Sequence, residues 1–72
     1  MERFVIKEYK FGEPAQLYYP DREYSTASRR FREELLHTSG LNGALRNLNY
    51  KGNERGLTRS QVRTIVQYLG EP

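Results

Sequence analysis

The absence of cysteine constrains this chain most, because 72 residues without disulfides must rely on apolar packing to hold a fold. A chain of this length buries only about 60% of the surface that its unfolded form exposes. Since 36% of the residues are hydrophobic, we expect nearly all of them to pack into the core of one domain that spans residues 1–72. The missing cysteines also favour a reducing, cytoplasmic environment.

Apolar residues recur at three- and four-residue spacing in three segments, which predicts amphipathic helices. We expect one helix over residues 26–37 with Ser25 as its N-cap, a second over residues 41–48, and a third that begins after Thr58. Thr58 and Gln61 have the spacing of a capping box. The predicted buried stripes comprise Tyr24, Ala27, Phe31 and Leu35 in the first helix, Leu41, Ala44, Leu45 and Leu48 in the second, and Val62, Ile65, Val66 and Leu69 in the third.

The remaining segments predict a short helix and a small sheet. Residues 3–11 are rich in β-branched and aromatic side chains and predict a strand. Residues 13–19 predict a short helix that starts near Pro14 and buries Leu17 together with one or both of Tyr18 and Tyr19. Residues 49–56 contain turn-forming glycines and predict a hairpin or wing that pairs with the N-terminal strand. The expected fold class is α+β and mostly helical, with an N-terminal strand, a short wing and about four helices in a helix-turn-helix-like arrangement.

The residues able to carry chemistry do not form a catalytic or metal-binding set. His37 is the one histidine and Asp21 the one aspartate, so neither a zinc site nor a serine triad can be assembled. Glu33 and Glu34 are neighbours on a predicted helix and point in different directions, unlike a converging acid–base pair. We therefore expect no enzyme activity, no cofactor and no metal. Without an apolar run of roughly 20 residues or a signal-peptide pattern, a membrane partner is not expected either.

Basic side chains provide the candidate functional residues. The formal net charge is +3 and the isoelectric point is about 9.4, which permits nucleic-acid binding without requiring it. Arginine and lysine contact phosphates or guanine edges, and asparagine pairs with adenine edges. Three sets fit this chemistry: Arg29, Arg30 and Arg32; Lys51, Arg55, Arg59 and Arg63; and Asn42, Arg46 and Asn47.

Each set also has a simpler explanation. Arg29 and Arg30 stand four residues before Glu33 and Glu34, so they can pair with these carboxylates on a solvated helix face. The basic residues of the segment 51–63 can keep a polar turn soluble, and asparagine is common at helix ends. The six tyrosines are expected to fill the core rather than to stack on bases.

Several motifs along the chain are those of a known family. They are F-V-I-K-E-Y at residues 4–9, L-Y-Y-P-D at residues 17–21, R-R-F at residues 29–31, L-T-R-S-Q-V-R at residues 57–63 and Y-L-G-E-P at residues 68–72. With these motifs, nearly the whole chain resembles a family of short bacterial proteins, the domain of unknown function DUF4248. That resemblance implies no established activity for any residue.

A looser similarity links residues 50–62 to the wing and capped helix of winged helix-turn-helix domains of MerR-like regulators and excisionases. It implies DNA binding, with residues 26–37 or residues 41–48 as the recognition helix. The predicted function is a DNA-binding helix-turn-helix-like module, regulatory or accessory to a mobile element, with double-stranded DNA as its partner. The alternative is a small protein–protein interaction module that binds a protein partner or a second copy of itself and has no nucleic-acid role.

Overall fold

Four helices and a two-stranded sheet form the fold of residues 4–72, the part of the chain that the computed structural model describes. In chain order the elements are β1 (Tyr9–Lys10), α1 (Gly12–Tyr18), α2 (Tyr24–His37), α3 (Leu41–Arg46), β2 (Gly56–Leu57) and α4 (Arg59–Leu69). Helix α1 packs against α2, α2 against α3, and α3 against α4. The predicted α+β, mostly helical class is confirmed.

The core forms around Phe31 of α2. The Phe31 side chain is fully buried, and the centroids of the Phe11 and Tyr18 rings lie 5.4 and 5.3 Å from the centroid of its ring. The other buried hydrophobic residues are Ala15, Ala27, Leu35, Leu41, Leu45, Tyr50, Leu57, Val62 and Ile65. Because these residues come from all four helices, one hydrophobic cluster holds the elements together.

The strands β1 and β2 join the N-terminal segment to the chain just before α4. They are antiparallel, with Tyr9 opposite Leu57 and Lys10 opposite Gly56. This pairing confirms that the segment after α3 provides the partner for the N-terminal strand. Since β2 pairs with β1 and not with its own loop, the hairpin predicted over residues 49–56 is wrong.

The N-terminal strand is shorter than the strand predicted over residues 3–11. Within residues 4–11, the described part of this segment, the strand comprises Tyr9–Lys10, and the predicted start at residue 3 lies outside the described residues. The Tyr9 hydroxyl donates to the Val5 carbonyl over 2.6 Å, and the Phe4 ring stacks on the Tyr9 ring at 5.3 Å between centroids. These local contacts fold the segment back on itself, so it does not run alongside β2.

Helix α1 turns Tyr18 rather than Leu17 toward the core. The prediction that Leu17 is buried is wrong, since its side chain is 50% exposed. The Tyr18 ring stacks on Phe31, and its hydroxyl donates to the Gly70 carbonyl at the end of α4. Burial, together with the nearby charge of Glu71, raises the pKa of Tyr18 to about 12. The hydrogen bond from this hydroxyl to Gly70 connects α1 to the C-terminal segment.

Helix α2 begins two residues earlier than predicted. Its N-cap is Glu23, which has extended backbone and makes no side-chain cap hydrogen bond, so the prediction of Ser25 as N-cap is wrong. Tyr24 lies in the first turn, and its exposed ring rests on Gly12 of α1, where a β-carbon would overlap it. Tyr24 therefore does not belong to the buried stripe. The other members of that stripe are buried as predicted: Ala27, Phe31 and Leu35.

Helix α3 ends two residues earlier than predicted. Its N-cap is Gly40, whose φ of 82° favours glycine, and its last residue is Arg46. Asn49 then adopts a φ of 68°, which asparagine tolerates, and the Tyr50 N–H donates to the Leu45 carbonyl over 3.0 Å. The chain thereby turns back toward the core. Of the predicted stripe, the buried members are Leu41 and Leu45, and the half-buried members are Ala44 and Leu48.

Helix α4 has the capping box that the sequence predicts. The Gln61 N–H donates to Thr58 Oγ1 over 3.2 Å, and the Thr58 N–H donates to Gln61 Oε1 over 3.0 Å. The Gln61 side-chain amide also donates to the Leu48 carbonyl over 3.0 Å, which ties α4 to the segment after α3. Gly70, with a φ of 82°, ends the helix. The predicted stripe consists of buried Val62 and Ile65 and half-buried Val66 and Leu69.

Replacing Thr58 with alanine is expected to destabilise the protein by about 1 kcal/mol, because it removes the side-chain acceptor of the capping box. In a domain of this size, that loss lowers the midpoint of thermal unfolding by roughly 4–8 °C. Ser60→Ala, at an exposed position in the same turn, is the matched control and is expected to stay within about 0.5 kcal/mol of the wild type. An unchanged midpoint for Thr58→Ala would contradict the assigned start of α4.

Candidate nucleic-acid interface

The solvent-facing side of α4 is built from basic and neutral polar side chains. Helical spacing places Arg59, Arg63 and Gln67 in one row with Ser60 beside it, and all four residues are exposed. None of the 11 residues of α4 is aspartate or glutamate. We refer to these four residues as the α4 face, which carries positive charge and no negative charge.

Charge is distributed unevenly along the chain. Residues 41–69 contain five Lys and Arg residues and one acidic residue, Glu54, whereas the other residues contain seven Lys and Arg against eight Asp and Glu. The positive charge is therefore concentrated in the C-terminal part of the chain, although the net charge of the whole chain is only +3. At the start of α4, however, Glu8 and Glu13 line the same surface hollow as Thr58, together with Lys10.

The one acidic residue of this part of the chain, Glu54, is engaged by its own loop. Its carboxylate accepts hydrogen bonds from the N–H groups of Lys51, Gly52 and Asn53 at 2.5, 2.8 and 3.1 Å. Partial desolvation raises the pKa of Glu54, but the backbone donors together outweigh it and hold that pKa below its ordinary value. The Glu54 carboxylate therefore stays charged and hydrogen-bonded to the backbone of its own loop. The Lys51 side chain is exposed.

Arg32 holds the same loop against α2. Its Nη1 donates to the Gly52 carbonyl over 2.5 Å and its Nη2 to the Glu54 carbonyl over 3.3 Å. The guanidinium carbon lies 4.0 Å from the centroid of the Phe11 ring, in cation–π contact. The sequence predicts Arg32 as a DNA contact, but in the structure its guanidinium donates to backbone carbonyls of the same chain. We therefore leave Arg32 out of the candidate interface.

Arg29 and Arg30 are exposed on the outer side of α2, as a DNA contact requires. Arg30 shares a shallow hollow with the carboxylates of Glu33 and Glu34. The pairing of Arg29 with Glu33 and of Arg30 with Glu34 stays a prediction from their four-residue spacing. Because its charges are mixed, this side of α2 is a weaker phosphate site than the α4 face.

The other predicted contacts are divided between the loop and α3. Lys51 and Arg55 are exposed in the loop that leads through β2 into α4. Arg46 and Asn47 are exposed at the end of α3, whereas Asn42 is half-buried. Lys51 and Arg55 are therefore the predicted contacts that adjoin the α4 face along the chain.

The two helices that the sequence predicts as recognition helices differ from α4 in length or in charge. Helices α2 and α3 are joined by residues 38–40, a turn of the length found in helix-turn-helix motifs. However, α3 has six residues and is only about 9 Å long, and the outer side of α2 carries carboxylates. The sequence-based assignment names Arg59 and Arg63 of α4 as phosphate contacts, and it does not include the exposed polar side chains beside them, Ser60 and Gln67. The sequence signals for this polar face are the lack of acidic residues in α4 and the four-residue intervals between Arg59, Arg63 and Gln67.

Within residues 4–72, the side chains and helices offer neither a metal centre nor a membrane span. In that part of the chain, His, Asp and Glu side chains form no cluster of three that could hold a metal ion. The longest helix there, α2, has 14 residues, fewer than the roughly 20 that span a bilayer. No helix in the same residues is long and apolar enough to cross a membrane.

Comparison with known proteins identifies the family of the chain. No curated protein and no solved structure matches it significantly. The looser similarity to winged helix-turn-helix domains finds no support there and stays an analogy. A family profile does match over residues 5–72, and its family is the one that the sequence motifs resemble. The chain therefore belongs to the family described as a domain of unknown function (DUF4248).

Proposed function

We propose that this protein binds double-stranded DNA through the α4 face, with phosphate contacts from Lys51 and Arg55 in the preceding loop. The observation that carries the proposal is the α4 face itself, where two arginines, a glutamine and a serine are exposed on a helix without a carboxylate. Arginine donates to guanine edges and glutamine pairs with adenine edges, and both residues also contact phosphates. An uninterrupted row of such donors suits a polyanion.

The dimensions and the N-terminus of α4 support the same proposal. With 11 residues the helix is about 16 Å long, and the major groove of B-DNA, about 12 Å wide, admits an α-helix. The capping box uses the N–H groups of Thr58 and Gln61. The N–H groups of Arg59 and Ser60 have no partner within the helix, so they add partial positive charge beside the arginines. A phosphate at this end of α4 would meet both kinds of donor.

The expected affinity is low, because a single copy of the chain offers few contacts. The candidate phosphate contacts are Lys51, Arg55, Arg59 and Arg63. Basic domains bind DNA non-specifically with dissociation constants of roughly 10⁻⁴–10⁻⁶ M at physiological salt. Tighter, sequence-specific binding would require a second copy of the chain on a neighbouring half-site.

Titration of a fluorescent mixed-sequence duplex is expected to detect binding at low salt and a steep loss of affinity as salt rises. The double variant Arg59→Ala/Arg63→Ala should reduce the slope of log affinity against log salt by roughly two units, one for each arginine that no longer meets a phosphate. The matched control, Arg29→Ala/Arg30→Ala, removes the same charge from α2 and should leave the slope nearly unchanged.

Two results would contradict this proposal. An equal decrease of slope in both double variants would mean that DNA is attracted by overall charge and not by the α4 face. Absence of binding at low salt, where the electrostatic attraction is largest, would exclude DNA as a partner. The alternative function, a protein-interaction module without a nucleic-acid role, would then replace DNA binding as the proposal.

A protein-interaction module is the second candidate, favoured by exposed large apolar side chains. These residues, each about half exposed, are Val5, Leu17, Tyr24, Leu36 and Tyr68. Single exposed apolar residues are normal in small domains, so a partner is indicated only if they act together. Analytical ultracentrifugation over a range of concentrations distinguishes a monomer from a homodimer, and a stable monomer that binds DNA would favour the first candidate.

A further inference from the structure

The exposed side chains of α4 cover about half of the circumference of the helix. Successive residues of an α-helix are turned by about 100°, so Arg59, Arg63 and Gln67 follow one another at intervals of about 40° around the axis. Tyr68 lies about 180° from Arg59 and closes this arc. Gln67 is therefore close to the centre of the exposed arc, and Arg59 and Tyr68 form its two edges. The buried residues of α4 lie on the opposite half of the helix: Gln61, Val62 and Ile65.

The side chains of the arc differ between its edges and its centre. One edge carries the exposed side chains of Arg59 and Arg63. At the other edge, the ring of Tyr68 is 46% exposed and rests on Gly40, the N-cap of α3. The centre carries the long amide side chain of Gln67 and, one and a half turns nearer the N-terminus, a serine with a short side chain.

Carboxylates approach α4 near its two ends and not at this central position. Glu8 and Glu13 line a hollow at the N-cap of α4. Glu71 lines another hollow, together with Val66. Helical spacing places the N-cap about 180° and Val66 about 100° around the axis from Gln67. A polyanion that meets the centre of the arc is therefore turned away from all three carboxylates.

A helix that lies in the major groove presents the centre and the edges of its exposed arc to different parts of the DNA. The groove is about 12 Å wide and about 8.5 Å deep, and an α-helix with its side chains has a diameter of about 10–12 Å. The centre of the arc then faces the base edges on the floor of the groove, and the edges of the arc face the phosphates of its walls. This orientation places Arg59 and Arg63 toward phosphates and Gln67 toward the bases.

We propose that Gln67 gives the α4 face a preference for adenine in the major groove, an inference that rests on the proposed binding of DNA through that face. The side-chain amide both donates and accepts a hydrogen bond, and adenine presents the matching pair, the N7 acceptor and the N6 amino donor. Guanine presents two acceptors at the same edge, so the amide oxygen finds no donor there. Gln67 carries no charge and adds nothing to the salt dependence of binding.

Competition against a fluorescent mixed-sequence duplex at low salt measures this preference. Two competitor duplexes of equal length, and therefore of equal charge, contain either A·T or G·C pairs in their central segment. The wild type should bind the A·T competitor more tightly by about fivefold or more, the discrimination expected of one paired amide. Replacement of adenine by 7-deazaadenine removes the N7 acceptor from the major groove and leaves the minor-groove edge intact, so it should abolish the preference.

Two variants separate base recognition from general attraction. Gln67→Ala, at an exposed position where alanine favours the helix, should lose the preference and keep the same slope of log affinity against log salt, because no charge is removed. Asn47→Ala, the matched control, removes an exposed amide just after α3. It should keep both the preference and the slope.

The failure of this inference is distinguishable from the failure of DNA binding itself. Salt-dependent binding of both competitors with equal affinity would overturn the role of Gln67 and leave the α4 face as a non-specific DNA site. Absence of any binding at low salt would overturn both proposals. A preference for A·T pairs that survives Gln67→Ala or the 7-deazaadenine substitution, or that is lost in Asn47→Ala, would also overturn the role of Gln67.

Discussion

Truncation of Phe31 to alanine is expected to remove roughly 3–5 kcal/mol of unfolding free energy. The Phe31 ring is fully buried and contacts the rings of Phe11 and Tyr18, so the truncation leaves a cavity where three parts of the fold meet. A chain of this length has a total stability of roughly 4–11 kcal/mol. The variant is therefore expected to be partly or wholly unfolded at room temperature.

Urea denaturation followed by circular dichroism measures this destabilisation, and two variants of α2 serve as controls. Phe31→Leu retains most of the apolar volume and should be clearly more stable than Phe31→Ala. Leu36→Ala removes an apolar side chain from the same helix at a position that is 54% exposed, and it should stay within about 0.5 kcal/mol of the wild type. Wild-type stability of Phe31→Ala would mean that the assigned orientation of α2 is wrong.

The helices could be predicted because their determinants lie close together in the chain. The capping box needs only Thr58 and Gln61, three residues apart, and both hydrogen bonds are present. The central stripe of α2 depends only on helical spacing, and Phe31 and Leu35 are buried as expected. The sequence pattern alone predicts a helix when all the residues that determine it lie within a few helical turns of one another.

The errors arose where burial depends on which part of the chain lies opposite. Leu17 and Tyr18 are adjacent, and only the position of α2 decides that the ring of Tyr18 faces the core. Tyr24 fits the apolar spacing of α2, but its ring lies against Gly12 of α1 and stays exposed. The length of the N-terminal strand was overestimated for the same reason, because β2 supplies just two residues for pairing.

The basic residues of the candidate site could be predicted from the sequence, but the contacts of their side chains could not. Arg55, Arg59 and Arg63 are exposed, as binding requires. Arg32 could not be told apart from them in the sequence, because the carbonyls that it contacts lie 20 and 22 residues further along the chain.

Replacing Arg32 with alanine is expected to cost about 2–3 kcal/mol, although a side chain in an exposed basic cluster would cost almost nothing. The substitution removes a charged donor from the Gly52 and Glu54 carbonyls and a cation–π interaction from Phe11. Arg32→Lys should recover little of this stability, because an ammonium group lacks the planar fork that donates to two carbonyls while stacking on a ring.

Urea denaturation together with amide hydrogen exchange decides between the two roles of Arg32. In Arg32→Ala the loop amides of Lys51, Gly52 and Asn53 should exchange faster, since the loop is no longer attached to α2 and opens locally. Arg29→Ala, which removes the same charge from an exposed position on the same helix, should leave both stability and exchange unchanged. If Arg32→Ala instead keeps full stability and protected loop amides but weakens DNA binding, Arg32 is a DNA contact as the sequence predicts, and the interface must extend from α4 to α2.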